Sequence, residues 1–319
     1  MIELLLIGAG VAGLVALAVG ALFGGDGGGG GSAAAEDPDP DPIPPFDGVP
    51  TFDGTEGDDI FAGGEGDDAA FGRGGEDRLS GGDGADRIEG GLFADLIDGG
   101  PGDDVLRGDE GPDEILGGPG ADLISGDRGD DVLSGGDGDD ALWGRGGADD
   151  LSGGPGDDLL RGGFGDDGLT GGPGTDRLAG EGGNDTLDGR VPDGRADLDA
   201  ADVLEGGEGA DRLILGADDT GFGGAEGLPD DDADIFVAGD WSRGAPALVS
   251  DFDPGAGDAI ELLHDPAGPV PAVTVTETPA ASGSVYAVAL DGETAVLVPR
   301  PAGADWTLSA ADIALVPDA

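Results

Sequence analysis

The chain has 319 residues, with 70 acids, 13 arginines, no lysine, no cysteine and a single histidine (His264), giving a formal net charge of −57. This composition excludes disulfide frameworks, thiolate zinc sites, Schiff-base lysines and any metal or catalytic site that needs two histidines. A field of that sign repels phosphate backbones and anionic headgroups, so nucleic acid is not an expected partner, and it attracts cations.

Residues 1–23 carry no charge from Leu4 to Phe23. Twenty helical residues rise about 30 Å, enough to cross a bilayer core, so a hydrophobic N-terminal helix with access to a membrane is expected. Ala12, Ala16, Gly20 and Gly24 lie four apart, as in close-packed helix pairs. The segment lacks a basic start, and Ala33-Ala34-Ala35 lies too far beyond it for cleavage, which favours an anchor or an uncleaved signal-anchor. No Lys or Arg flanks it to set an orientation. Residues 24–53 read as a linker, Gly-rich at first and then stiffened by the Asp-Pro alternation of residues 37–45.

Residues 54–188 divide into fifteen nine-residue units without insertion or deletion. Gly99-Gly100-Pro101-Gly102-Asp103-Asp104-Val105-Leu106-Arg107 is a representative unit. The first place is always Gly, the fourth is Gly except at Phe93, and the sixth is always Asp. The eighth is Phe, Leu or Ile except at Ala70. A flexible acidic linker has no reason to hold such a register. Glycines at fixed intervals permit tight turns, and one large apolar residue in nine suits a short strand with one inward side chain. Each unit is therefore expected to form a six-residue turn and a three-residue strand. One unit cannot bury its apolar residue alone, whereas stacked units bury a continuous row. Two units per coil would place turns eighteen residues apart directly above one another.

Past Asp188 the register breaks, so residues 189–246 are read as degenerate repeats with insertions. One unit returns at 206–214, with Asp211 in the sixth place, and a fainter echo follows at Gly223-Gly224 and Asp234-Ile235-Phe236-Val237. Residues 247–319 change to alternating strands, with candidates at 273–278, 284–290 and 294–298. Asp291-Gly292 between the last two is a hairpin signal. This region is expected to form a small β cap.

The candidate ligands are the sixth-place aspartates: Asp59, Asp68, Asp77, Asp86, Asp95, Asp104, Asp113, Asp122, Asp131, Asp140, Asp149, Asp158, Asp167, Asp176 and Asp185, with Asp211 added from the later unit. Stacking brings Asp59 toward Asp77 and Asp68 toward Asp86, with turn carbonyls near by. Such a gap offers only hard oxygens in irregular geometry, which suits Ca²⁺ better than Mg²⁺ or a transition metal. The two edges have about 13 inter-coil gaps as an upper bound on this stacking. Residues 54–188 hold 36 acids and 8 arginines, a net of −28 that thirteen divalent ions would nearly neutralise. Phe93 and Ala70 put the sites near them in question, and the arginines Arg73 and Arg145 stand where the second place is usually Gly.

The unit Gly-Gly-x-Gly-x-Asp-x-apolar-x resembles the RTX (repeats-in-toxin, hemolysin-type) calcium-binding nonapeptide. That resemblance implies an all-β fold, a right-handed parallel β-roll that holds calcium between coils. The stretches Asp234–Val237, Val249–Pro254, Asp258–Leu262 and Leu308–Val316 resemble the end of serralysin-like proteins, which implies an uncleaved signal for the type I secretion machinery. The chain has no His-Glu-x-x-His zinc helix, and no room for a protease domain ahead of residue 54.

The leading expectation is a non-enzymatic calcium-binding protein, extracellular or on the cell surface, whose roll folds on meeting calcium. The alternative is an adhesin or matrix component, anchored through residues 1–23 and projected on the roll as a stalk. A third, an enzyme in residues 189–319, would rest on Asp251, Asp253, Glu261 and His264. That set contains no nucleophile with a base and an orienting group.

Overall fold

A period of eighteen residues, two repeat units, is the pitch of the molecule. A computed structural model describes residues 51–190, 201–224, 232–238, 246–254, 256–264, 273–280, 283–290, 293–301, 307–310 and 313–317. These residues form two sheets of fourteen and twelve strands, with no α-helix among them. Through residue 264, successive strands alternate between the sheets, and strands within each sheet run parallel. In one sheet Val105 pairs with Leu123, Leu123 with Ala141 and Ala141 with Leu159, a constant step of eighteen. Parallel neighbours need a long return path, and here the strand of the opposite sheet supplies it. The result is a parallel β-roll.

The strands are longer than the expected three residues. Val105–Glu110, for example, joins places seven to nine of one unit to places one to three of the next. Glycine weakens strands, so a Gly-rich trio reads as turn. Stacking rescues it, because the amide of Gly82 donates to the Gly99 carbonyl at 3.0 Å and continues the ladder. Only places four to six are left as turn. Leu96–Asp98, Asp150–Ser152, Gly168–Thr170 and Thr186–Asp188 keep the three-residue length.

The eighth-place side chains from Ala70 to Leu187 point between the sheets, and none is more than 2% exposed. Burying one Leu contributes roughly 1.5–3 kcal/mol, so this single row is the main apolar stabilisation of the array. Ala70 is fully buried within it. At the N-terminal end the rings of Phe52 and Phe61 stack with centroids 5.0 Å apart.

Residues beyond 188 continue the roll. Val203–Glu208 and Arg212–Leu215 pair with the preceding coil at a step of 26 residues, so the pairing survives a lengthening of eight residues. Thr220–Phe222, Ile235–Ala238, Ala247–Val249 and Ala259–His264 add further parallel strands. The region read as degenerate is thus regular in its sheets. The expected cap is present as an antiparallel meander of Val273–Ala280, Gly283–Leu290 and Glu293–Pro301. Its last strand docks parallel to Ala247–Val249, and Ile313–Pro317 completes the other sheet beside Ala259–His264. Residues 1–50, with the expected hydrophobic helix and most of the expected linker, lie outside the described residues, as does the hairpin signal at 291–292. Phe52–Asp53, read as the end of the linker, is instead the first strand of the roll, paired parallel with Ala70 and Phe71. Among the described residues no helix is long and apolar enough to cross a membrane.

Candidate metal centre

Each turn brings its fourth-place residue against the coil below. Gly102 adopts φ +154°, and a Cβ there would fall onto the carbonyl oxygen of Gly84, so the two backbones touch only because Gly102 carries no side chain. The chain then reaches the sixth-place Asp, whose side chain turns back over the first-place glycine of its own unit. A Cβ on Gly99 would collide with Oδ2 of Asp104. The absent side chain leaves a cradle that this carboxylate oxygen fills.

The carboxylates stack in two columns. Asp68, Asp86, Asp104, Asp122, Asp140, Asp158 and Asp176 form one, in which the amide of each donates to Oδ1 of the next at 2.7–2.9 Å. Asp59, Asp77, Asp95, Asp113, Asp131, Asp149, Asp167, Asp185 and Asp211 form the other, with the same bond at 2.7–2.8 Å. All sixteen residues singled out in the sequence are placed in these columns. Asp59 and Asp68, first in their columns, are half-buried, and the other fourteen are 4% exposed or less.

The second oxygen distinguishes these carboxylates from ordinary turn caps. From Asp77 to Asp167, and again at Asp185, Oδ2 is buried and makes no hydrogen bond. An unpaired buried carboxylate oxygen is expensive to maintain. Burial accordingly pushes the carboxyl of Asp149 up to about 8, against the opposing bond from the Asp131 amide, with the charges of Asp131 and Asp167 adding to the rise. Asp185 is also raised to about 8, and Asp95, Asp113, Asp122 and Asp158 to about 7, burial being the largest cause each time. Among the described residues no three His, Asp or Glu side chains converge on one point. A cation in a gap would therefore draw on two carboxylates at most and otherwise on backbone oxygens.

The fifth-place acids run a second ladder in the opposite sense. Oδ1 of Asp58, Asp103, Asp130 and Asp157 each accepts the amide of the residue eighteen positions later, at 2.9–3.0 Å. These acids are exposed, and their hydrogen bonds tie adjacent turns together from the outer side.

The repeat match settles the family. The model of the RTX calcium-binding nonapeptide repeat (4 copies) matches residues 53–88, 80–115, 116–151, 152–187 and 198–225, just over half of the chain. The chain belongs to the RTX calcium-binding nonapeptide repeat family. No curated protein matches it at a significant level.

Calcium suits what this RTX roll offers: hard oxygens only, buried carboxylates with an unused lone-pair face, and a mutual repulsion that a divalent ion relieves. Two positions questioned in the sequence keep the geometry. Phe93 takes φ 79° in place of glycine and still donates to the Glu110 carbonyl at 2.7 Å, and Asp95, two residues on, stays in its column. Beside Ala70, Asp68 stays in its column too.

Sequence reasoning missed the continuation. Asp202 and Asp219 extend the first column, and Asp234 and Asp258 extend the second, all through the same amide-to-Oδ1 bond at 2.8–3.2 Å. The signal was an Asp two places before a buried apolar residue, as in Asp202/Leu204, Asp234/Phe236 and Asp258/Ile260. The glycine period masked it, since insertions shift the glycines while leaving this pair intact.

Proposed function

We propose that the chain is a non-enzymatic calcium-binding protein that acts outside the cytosol and whose roll closes when calcium fills the gaps between coils. The sixth-place aspartates from Asp59 to Asp185, with Asp211, are the ligating side chains, assisted by turn carbonyls. One observation carries this reading: two columns of aspartates in which Oδ1 accepts the amide of the preceding coil while Oδ2, from Asp77 to Asp167 and at Asp185, is buried without a hydrogen bond. With Asp202, Asp219, Asp234 and Asp258 included, nine and eleven carboxylates leave eight and ten inter-coil gaps, so the ceiling exceeds the 13 expected from the uninterrupted repeats.

Calcium is structural in this reading. Where calcium is scarce, repulsion within the −28 array keeps the repeats expanded and fit for export, and the type I machinery is the route the C-terminal resemblance suggests. Outside, ion binding supplies folding free energy. Circular dichroism in chelator and then in millimolar calcium tests the proposal. A gain of strand signal on adding calcium is expected, and an identical spectrum in both would sink it.

A further inference from the structure

The two aspartate columns differ in what stands beside them. In the turns of the first column, from Asp68 to Asp176, the second place is always glycine, and neither these turns nor the residue leading into each contains an arginine. In the second column the second places include Asp109, Asp127, Arg145 and Glu181, four residues before Asp113, Asp131, Asp149 and Asp185. The residues leading into its turns include Arg107 and Arg161. The first column has Pro101, Pro119, Pro155 and Pro173 in the third place, which narrow the conformations of the unfolded chain but set no charge across coils.

Beside the second column these side chains bond across coils. Asp127 sits between two arginines: its Oδ2 is 3.2 Å from Nε of Arg107 in the coil before, and its Oδ1 is 3.1 Å from Nε of Arg145 in the coil after. The hydroxyl of Ser125, fully buried, donates to Asp127 Oδ1 at 3.0 Å and accepts from Arg145 Nε at 3.1 Å. Three neighbouring strands, Val105–Glu110, Leu123–Arg128 and Ala141–Gly146, are thereby joined. One coil further, Arg161 Nη1 lies 3.3 Å from Glu181 Oε1 and joins Leu159–Phe164 to Arg177–Gly182. The side chains of Arg107, Arg145 and Arg161 are 16%, 11% and 7% exposed, so water screens these pairs less than the exposed pair of Arg128 with Glu110.

We propose that the roll has one edge that depends on calcium and one that is fastened by ion pairs. As calcium is withdrawn, the coils between Val105 and Gly182 part first along the first column, at Asp122, Asp140 and Asp158. The Arg107–Asp127–Arg145 and Arg161–Glu181 pairs hold the turns of the second column together to lower calcium. This inference rests on calcium lying in both columns, as read above. A first-column turn that loses its ion faces carboxylates above and below, whereas the second column keeps opposite charges beside it that a chelator does not remove. Core packing does not separate the two, because both kinds of turn alternate along one row of buried residues, Leu106, Ile115, Ile124, Leu133 and Leu142.

Hydrogen exchange of the full chain at stepwise lower free calcium tests this, read by mass spectrometry with fragmentation to single turns. Turns 117–122, 135–140 and 153–158 are compared with turns 108–113, 126–131 and 144–149. The first set is expected to lose half of its protection at a free calcium about threefold higher than the second. Arg107→Gln with Arg145→Gln separates the fastener from a field effect, with circular dichroism in calcium verifying the fold. Removing two positive charges by itself draws calcium more tightly into the second column and lowers its midpoint. Loss of the fastener instead raises that midpoint to the value of the first column, which is the expected result. Equal midpoints in the parent, or a lowered midpoint in the variant, would overturn the inference and leave the calcium reading standing. If the variant does not fold, the comparison within the parent decides. Protection indifferent to calcium in both sets would overturn the calcium reading and this inference with it.

Discussion

The backbone amide of Asp131 donates to Oδ1 of Asp149, eighteen residues ahead, at 2.8 Å. The amide of Asp149 does the same to Asp167. Each aspartate is thus both a rung and a support, so the coils above and below it share one residue.

Replacing Asp149 with Asn keeps an oxygen for the Asp131 amide and removes a buried charge. The calcium-free roll is expected to gain stability, because burial and the charges of Asp131 and Asp167 penalise the ionised form. Bound calcium is expected to fall by one or two ions per chain, measured by atomic absorption after gel filtration. Unchanged stoichiometry would remove Asp149 from the ligand set.

The calcium-free chain should be more compact in mild acid. The carboxyls of Asp95, Asp104, Asp113, Asp149 and Asp185 rise from 3.8 to between about 6 and about 8 on folding. A raised carboxyl favours the folded chain while protonated. Its contribution is complete below pH 3.8 and is lost as pH climbs through about 6 to 8. Strand signal in chelator is expected to be larger at pH 5 than at pH 8.5, and calcium affinity should rise over the same interval as protons stop competing. A flat profile would contradict both.

Leu142 is fully buried in the central row, so Leu142→Ala should cost about 2–5 kcal/mol in urea unfolding with calcium present. Val132 is 50% exposed on the outer face, and its replacement by Ala should change stability by about 0.5 kcal/mol or less.

Gly102→Ala is expected to destabilise the calcium-loaded roll by about 2–3 kcal/mol, since φ +154° and contact with the Gly84 carbonyl both exclude a side chain. Phe93→Gly, in the equivalent place on the other edge, should be neutral or stabilising. Opposite signs in thermal melts would confirm that the fourth place is read by backbone contact.

The period of nine made the stack, the inward row and the sixth-place columns legible, because each depends on one residue type at one place. Strand length was not legible. Glycines at places one to three look like turn locally, and only the coil above, as when Gly99 accepts from Gly82, makes them strand. Asp202, Asp219, Asp234 and Asp258 escaped for the converse reason, since their stacking survives insertions that displace the glycines.

The step between coils widens from 18 to 26 residues after Asp176 and Asp185, yet the same amide-to-carboxylate bond forms at 2.8 Å on both edges. The roll measures its rise by aspartate and leucine, and not by chain length. Pairing is therefore indifferent to insertion: a longer chain between Gly189 and Asp202 should leave Arg177 opposite Val203 and Thr186 opposite Arg212.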